Sequence, residues 1–202
     1  MTIRANLSWV VADLAVGGDL SYDPARAAAQ FADILASGVT HIVDMRSEAN
    51  DAARWSGSGV EYKWLGTDDR AGHTVDPGLF DAGVRFARTA RRSGGKVLAH
   101  CHMGVNRGPS MGFAILLDRG HGAVEAFELI RAARPQAFIA YAEDALLAHG
   151  ARHVAKGGHA RTCRRELKLL RAHVAETMTP SKVGFIQRAM RQHRLDDLRA
   201  PV

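Results

Sequence analysis

The chain has 202 residues, 47% of them hydrophobic and 24% charged, a balance that supports a packed core and excludes a disordered chain. No apolar run reaches the roughly 18 residues of a membrane span, and two cysteines are too few for a disulfide framework. The net charge of +6 is uneven, because residues 152–202 hold 12 Lys or Arg against 4 Asp or Glu and leave the rest at 15 against 17.

Leu7 to Val16 reads as a strand or a pair of short strands closed at Gly17-Gly18. Asp23-Pro24 then offers an N-cap and an N1 proline, and the helix behind them carries Phe31, Ile34 and Leu35 on one face until Gly38. A strand follows over Val39 to Met45, a Ser/Gly-rich loop over 47–59, and a short strand over Val60 to Leu65. The polar stretch Gly66-Thr67-Asp68-Asp69-Arg70-Ala71-Gly72 is a loop, and a helix capped by Asp76 runs from Pro77 to about Arg92 with Leu79, Phe80, Val84 and Phe86 apolar. Gly94-Gly95 ends it. Beyond a strand at Lys96 to Ala99, helical patterns cover Pro109 to Asp118, Ala123 to Ala133 with Phe127 and Ile130 inward, and Phe138 to His149 with Leu146 and Leu147 inward. This order predicts an α/β fold, a central mostly parallel sheet with helices on both faces. Gly157-Gly158 reads as a linker, and Arg161 to Ala175 and Ser181 to His193 read as basic amphipathic helices. The expected division is therefore 1–150, the α/β unit, and 151–202, a basic helical extension.

The chemistry concentrates in His100-Cys101-His102-Met103-Gly104-Val105-Asn106-Arg107-Gly108-Pro109-Ser110, where an apolar strand breaks into a loop and a helix. Five residues between Cys101 and Arg107 can wrap so that their N–H groups converge on one small anion, and the helix start behind them adds a positive dipole end. That field favours thiolate over thiol at the base of the loop, so Cys101 reads as a nucleophile. Arg107 supplies a planar fork for two phosphate oxygens, and Gly104 permits the turn. The anion-contacting set is His102, Met103, Gly104, Val105, Asn106 and Arg107. Displacing an alkoxide or phenoxide needs a proton donor, and Asp68 and Asp69 in the upstream loop are the candidates.

These residues resemble the dual-specificity branch of the cysteine-dependent protein tyrosine phosphatases. Leu14-Ala15-Val16-Gly17-Gly18, Gly38-Val39-Thr40-His41-Ile42-Val43-Asp44-Met45-Arg46, Gly94 to Cys101 and Arg134-Pro135 resemble further family segments, so that the likeness spans residues 7–147. The resemblance implies a phosphatase with a phosphocysteine intermediate, needing neither cofactor nor metal. Cys101 would be the nucleophile, Arg107 the phosphate ligand, and one of the two aspartates the acid, with Asp69 favoured. His100 would hold the cradle and support the thiolate. It also implies a phosphorylated protein as substrate, phosphotyrosine foremost and phosphoserine or phosphothreonine in addition, because family members acting on lipids carry lysines where this chain has His102, Met103, Val105 and Asn106. A lipid or RNA phosphate is the alternative substrate. The family's Ser or Thr after the arginine is Gly108 here, which predicts slow hydrolysis of the intermediate.

Other signals are weaker. His149 and His153 read as surface histidines, Cys163 as a bystander on a basic helix, and Arg46, Glu48 and Asp51 as surface salt bridges. The basic C-terminal helices read as packing an apolar seam (Leu167, Leu170, Val174; Val183, Phe185, Ile186) with a solvated outer face, the alternative being a dock for an acidic or phosphorylated partner. No specific nucleic-acid motif occurs. A reactive thiol and the lack of a signal-peptide pattern make the cytoplasm the expected compartment. A sulfur-transfer enzyme, with a shorter loop, and a phosphate-binding module with vestigial chemistry are the rival functions.

Overall fold

The computed structural model describes the backbone of residues 3–198 and the side chains of residues 3–195. Residues 199–202 of the expected extension lie outside the described residues. The strands are β1 (Leu7–Val11), β2 (Leu14–Gly17), β3 (His41–Arg46), β4 (Glu61–Thr67) and β5 (Val97–His100). The helices are α1 (Pro24–Ala36), α2 (Ala52–Trp55), α3 (Pro77–Arg92), α4 (Arg107–Asp118), α5 (Ala123–Ala133), α6 (Ala142–Ala155), α7 (Ala160–Thr177) and α8 (Pro180–Leu198).

The sheet order is β1-β2-β5-β3-β4. Only the β1–β2 pair is antiparallel; β2, β5, β3 and β4 run parallel, so their C-terminal ends share one edge. Side chains alternate across this sheet with the period of two that a strand imposes. Leu14, Val16, Val43, Met45, Val97 and Ala99 face the larger core layer, where they meet Phe80, Met111, Phe113, Phe127 and Ile130. Ala15, Ile42 and Leu98 face the other side and meet Ile34 and Trp55. The central strands β2, β5 and β3 are buried on both faces, while β1 and β4 at the edges are partly exposed.

Local chemistry sets the element starts. Asp23 accepts from the Arg26 N–H at 2.7 Å and Asp76 from the Gly78 N–H at 2.7 Å, each followed by a proline in the first turn. The expected helix over 138–149 begins instead at Ala142 and continues to Ala155, across position 150. Its expected first turn is diverted because the N–H groups of Phe138 and Ile139 donate to the Val105 carbonyl (2.8 and 3.1 Å), with Ile139 at φ 57°. Leu147 is 56% exposed rather than inward, since Leu146 already fills the core side of that turn. The helix expected from Pro109 starts two residues earlier, at Arg107.

The extension also departs in part. Leu170 is buried, with Leu167 and Val174 packed partly against the main core, so α7 seats on that core. On α8, Ile186 is buried but Phe185 stands 47% exposed, because adjacent residues on a helix point about 100° apart and cannot share a narrow seam.

Candidate active site

The parallel strands end where β5 gives way to Cys101, the usual location for a site on an open α/β sheet. Residues 101–106 form the loop and α4 begins at Arg107. The carbonyls of residues 102–106 are all engaged. His102 accepts from the Asp19 N–H (3.0 Å), Met103 from Arg134 Nη2 (3.0 Å), and Gly104 from Arg134 Nε (2.6 Å). Val105 accepts from Phe138 and Ile139, and Asn106 from the Ser110 N–H (2.8 Å). No N–H of residues 103–107 donates to a protein acceptor among the described residues. The loop is thus a nest with its acceptors tied away and donors unspent, beside the positive end of α4.

Gly104 is required twice over. Its φ is 65°, and a Cβ there would lie 2.4 Å from Arg134 Nη2 and 2.5 Å from the Gly17 carbonyl carbon. Arg134 itself is buried and also donates to Asn6 Oδ1 at 2.8 Å. Burial pulls its pKa down to about 10, which still leaves it cationic at neutral pH.

Cys101 is buried at the base of the nest. Arg107 is buried too, and its five N–H groups can be traced individually. Nη1 and Nη2 each donate to Glu48 at 2.7 Å, and Nη1 donates to the Thr67 carbonyl at 2.9 Å, with the Met45 carbonyl at 3.4 Å. Nε has no hydrogen-bond partner among the described residues, although Asp69 Oδ2 lies 3.5 Å from it. Two parallel donors, Nε–H and one Nη2–H, therefore remain on the cradle edge, the geometry that takes two oxygens of a phosphate. Burial would lower the Arg107 pKa, but Glu48, Cys101 and Asp69 raise it above the ordinary value. The reverse holds at Glu48: burial would raise it, and the Arg107 hydrogen bonds bring it down to about 2.

The two candidate acids separate in space. Asp69 leans over the cradle, where Tyr141 Oη donates to Oδ1 at 2.9 Å and Asn106 Nδ2 at 3.1 Å. Asp68, 52% exposed, accepts from Ser47 Oγ at 3.0 Å and faces Arg70 instead. Cys101, Arg107 and Asp69 are brought together; Asp68 is not.

Arg46 and Asp51 are not the surface pair that their sequence positions suggest. Arg46 is buried at the end of β3 and forks onto Asp44 (Nε to Oδ1 3.0 Å, Nη2 to Oδ2 2.6 Å), while reaching Asp51 at 2.6 Å and Asp19 at 3.3 Å. The correction has a simple origin: Asp44 lies within the strand, and its burial forces a cation to follow it inward. Tyr62 Oη donates to Asp44 Oδ2 at 2.7 Å. His100 Nε2 is 3.6 Å from the same oxygen, and its Nδ1 has no partner among the described residues. Burial pushes the His100 pKa below its ordinary value, so the ring is neutral. Burial would raise Asp44, yet the Arg46 fork and Tyr62 hold it below the usual carboxylate value.

Glu48 was legible only as a surface charge, and Tyr141 carried no sequence signal. Arg134 was visible as part of an Arg-Pro turn but not as the group that anchors the cradle. A cavity of about 660 Å³ adjoins the site between the Asp19–Tyr22 segment, α1 and Glu48. Another of about 420 Å³, lined by Arg88, Asp118 and Arg119, lies at the far end of α4, roughly 17 Å away at the rise of a 12-residue helix, and holds no nucleophile.

A cysteine under an N–H nest, with an arginine fork and a carboxylate above it on a five-stranded α/β sheet, defines a protein tyrosine phosphatase-like fold and site. The family model "Dual specificity phosphatase, catalytic domain" matches residues 25–142, and the chain belongs to that family. It is 38% identical over 77 residues to dual specificity protein phosphatase 5 of Rattus norvegicus, a match covering 37% of this chain and 20% of that protein. It is 42% identical over 78 residues to dual specificity protein phosphatase 1B of Arabidopsis thaliana, covering 38% of this chain and 46% of the relative. The chain thus spans less than half the length of these relatives. Among solved structures, PTPMT1 in complex with PI(5)P superposes with a TM-score of 0.62 at 22% identity, covering 76% of this chain and 99% of that one. Human DUSP28 gives 0.60 at 22%, covering 73% and 95%. At these identities the superpositions establish the fold. Among the described residues, no helix is long and apolar enough to cross a membrane.

Proposed function

We propose that this chain hydrolyses phosphomonoesters through a phosphocysteine intermediate. The observation that carries the reading is the cradle over Cys101, with every carbonyl of residues 102–106 tied outward and the Nε edge of Arg107 left facing in. The Cys101 thiolate attacks phosphorus while Asp69 protonates the departing oxygen. Arg107 and the loop N–H groups take up charge on the three equatorial oxygens. In the second step Asp69, now a carboxylate, draws a proton from water as it attacks the phosphocysteine. Neutral His100 braces the strand end beneath the loop. Gly108 puts no hydroxyl directly after Arg107, so none at that position assists thiolate departure and the second step is slow.

A phosphorylated protein is the substrate class the site fits best. The mouth of the cradle carries Glu48 and Asp69 and no lysine in the loop, which suits one phosphate and repels a cluster of them. Exposed Tyr22, its ring 6.2 Å from that of His102, offers an aromatic wall. The reading includes a catalytic unit over residues 1–150 with a basic extension packed on it through α7, and a reducing, cytoplasmic setting for the thiol.

The test is vanadate-sensitive hydrolysis of an aryl phosphate in the presence of a chelator. Cys101→Ser abolishes it, and Asp69→Asn lowers kcat by about 10²- to 10⁴-fold. Activity retained in Cys101→Ser overturns the mechanism. Preference for phosphoinositide vesicles over a phosphotyrosine peptide overturns the substrate class alone.

A further inference from the structure

Asp19, His102 and His193 come from three distant parts of the sequence: the segment after β2, the cradle loop, and α8. Each offers one ligand atom, and the three atoms lie within 4.8 Å of one another. In a tetrahedral zinc site with bonds near 2.0–2.1 Å, ligand atoms stand roughly 3.3 Å apart, so small side-chain rotations close the gap. The two imidazole rings are 5.3 Å apart with their planes inclined at 60°, an arrangement in which two ring edges can converge on one point. The His102 ring already meets Asp19, its Nδ1 standing 2.8 Å from Oδ2, and Arg46 Nη1 holds the same oxygen from behind at 3.3 Å. Outer partners of this kind fix a carboxylate ligand before the ion arrives.

Charge points the same way. The buried network beside the cradle holds Asp19, Asp44 and Asp51 against Arg46, while Arg54 reaches Asp51 only at 3.9 Å from an exposed position. With Arg46 and Arg54 set against three carboxylates, one negative charge is left over in a site that must also admit a phosphate, and a dication at its edge offsets it.

We propose that Asp19, His102 and His193 form a binding site for a divalent d-block cation of the zinc class, which fastens the C-terminal helix α8 to the cradle loop. Three protein ligands leave a fourth position for water. Two imidazoles and one carboxylate suit zinc and its neighbours over magnesium or calcium. The ion is structural and takes no part in phosphoryl transfer, so the site stands whether or not the cradle is catalytic. Its effect falls on the small cavity of about 290 Å³ between α8 and the loop, lined by Met103, Val105, Arg134, Ala189, Met190 and His193 among others.

The experiment is calorimetric titration of the untagged Cys101→Ser chain with zinc chloride, the substitution removing thiolate binding at the cradle. One site per chain is expected, weakened about 100-fold in His193→Ala and again in His102→Asn. With zinc present, amide exchange of residues 180–195 slows in the Cys101→Ser chain and not in its His193→Ala derivative. Cobalt in place of zinc gives tetrahedral d–d bands without thiolate charge transfer. No binding, an affinity unchanged in both histidine variants, or a thiolate charge-transfer band placing the ion on Cys163 overturns the proposal.

Discussion

Replacing Glu48 by Gln isolates what the carboxylate does for Arg107. In the structure Glu48 holds the Nη1/Nη2 end of the guanidinium at 2.7 Å on both sides, and this leaves the Nε edge toward the cradle. Gln offers one acceptor and turns an NH₂ group against the second N–H, so the fork loses its fixed plane. The Glu48 pKa falls from 4.5 to about 2, which at 1.36 kcal/mol per unit would give about 3.4 kcal/mol. The side chain is 46% exposed, and screening reduces that to about 1–2 kcal/mol. The expected loss in kcat/KM for an aryl phosphate is therefore about 5- to 30-fold, carried mainly by KM, with inorganic phosphate inhibiting correspondingly less. The pH dependence has a definite sign. A depressed carboxylate contributes stability that is fully present above its unfolded value and is lost as pH falls through about 2. The ratio of wild type to variant is then flat between pH 5 and 8. Tighter phosphate inhibition in Glu48→Gln would refute the reasoning, because it would mean that Glu48 competes for the fork instead of setting it.

Three further outcomes are expected. Arg134→Met strands the Met103 and Gly104 carbonyls and Asn6 Oδ1, costing about 3–5 kcal/mol in urea unfolding along with phosphate affinity; an unchanged midpoint would show that the cradle does not depend on it. Gly108→Ser destabilises by about 1–3 kcal/mol and fails to speed turnover, because a Cβ at 108 lies 2.8 Å from the His100 backbone; faster turnover with full stability would contradict this. Burial pulls the His100 pKa below its ordinary value, so the unfolded chain binds the proton more readily and stability falls as pH drops through the ordinary histidine range. His100→Asn reduces the slope, and an identical slope in both proteins would assign it to other histidines.

Much of the site is written in local sequence, and the reason is that the cradle is local. Cys101, the loop and Arg107 lie within seven consecutive residues, so spacing alone predicts the nest. Caps at Asp23 and Asp76 were legible for the same reason. What escaped are contacts set by topology. Glu48 meets Arg107 across 59 positions and Arg134 meets Gly104 across 30, and neither distance has a periodicity to reveal it. Asp68 and Asp69 were indistinguishable as neighbours in a polar loop; Tyr141, 72 residues on, separates them in the fold. Arg46 looked superficial because its partner Asp44 is masked inside an apolar strand pattern. His102 read as a cradle residue, and its nearness to His193 follows only from where α8 lies.

The most direct test of the central claim is rapid acid quench of the wild-type chain during turnover of an aryl phosphate, with mass spectrometry of the Cys101 peptide. The account predicts a phosphoryl group on Cys101 that accumulates because Gly108 supplies no hydroxyl to the second step, and that is missing in Cys101→Ser. Steady hydrolysis with no adduct on that peptide, or an adduct on another residue, would contradict it.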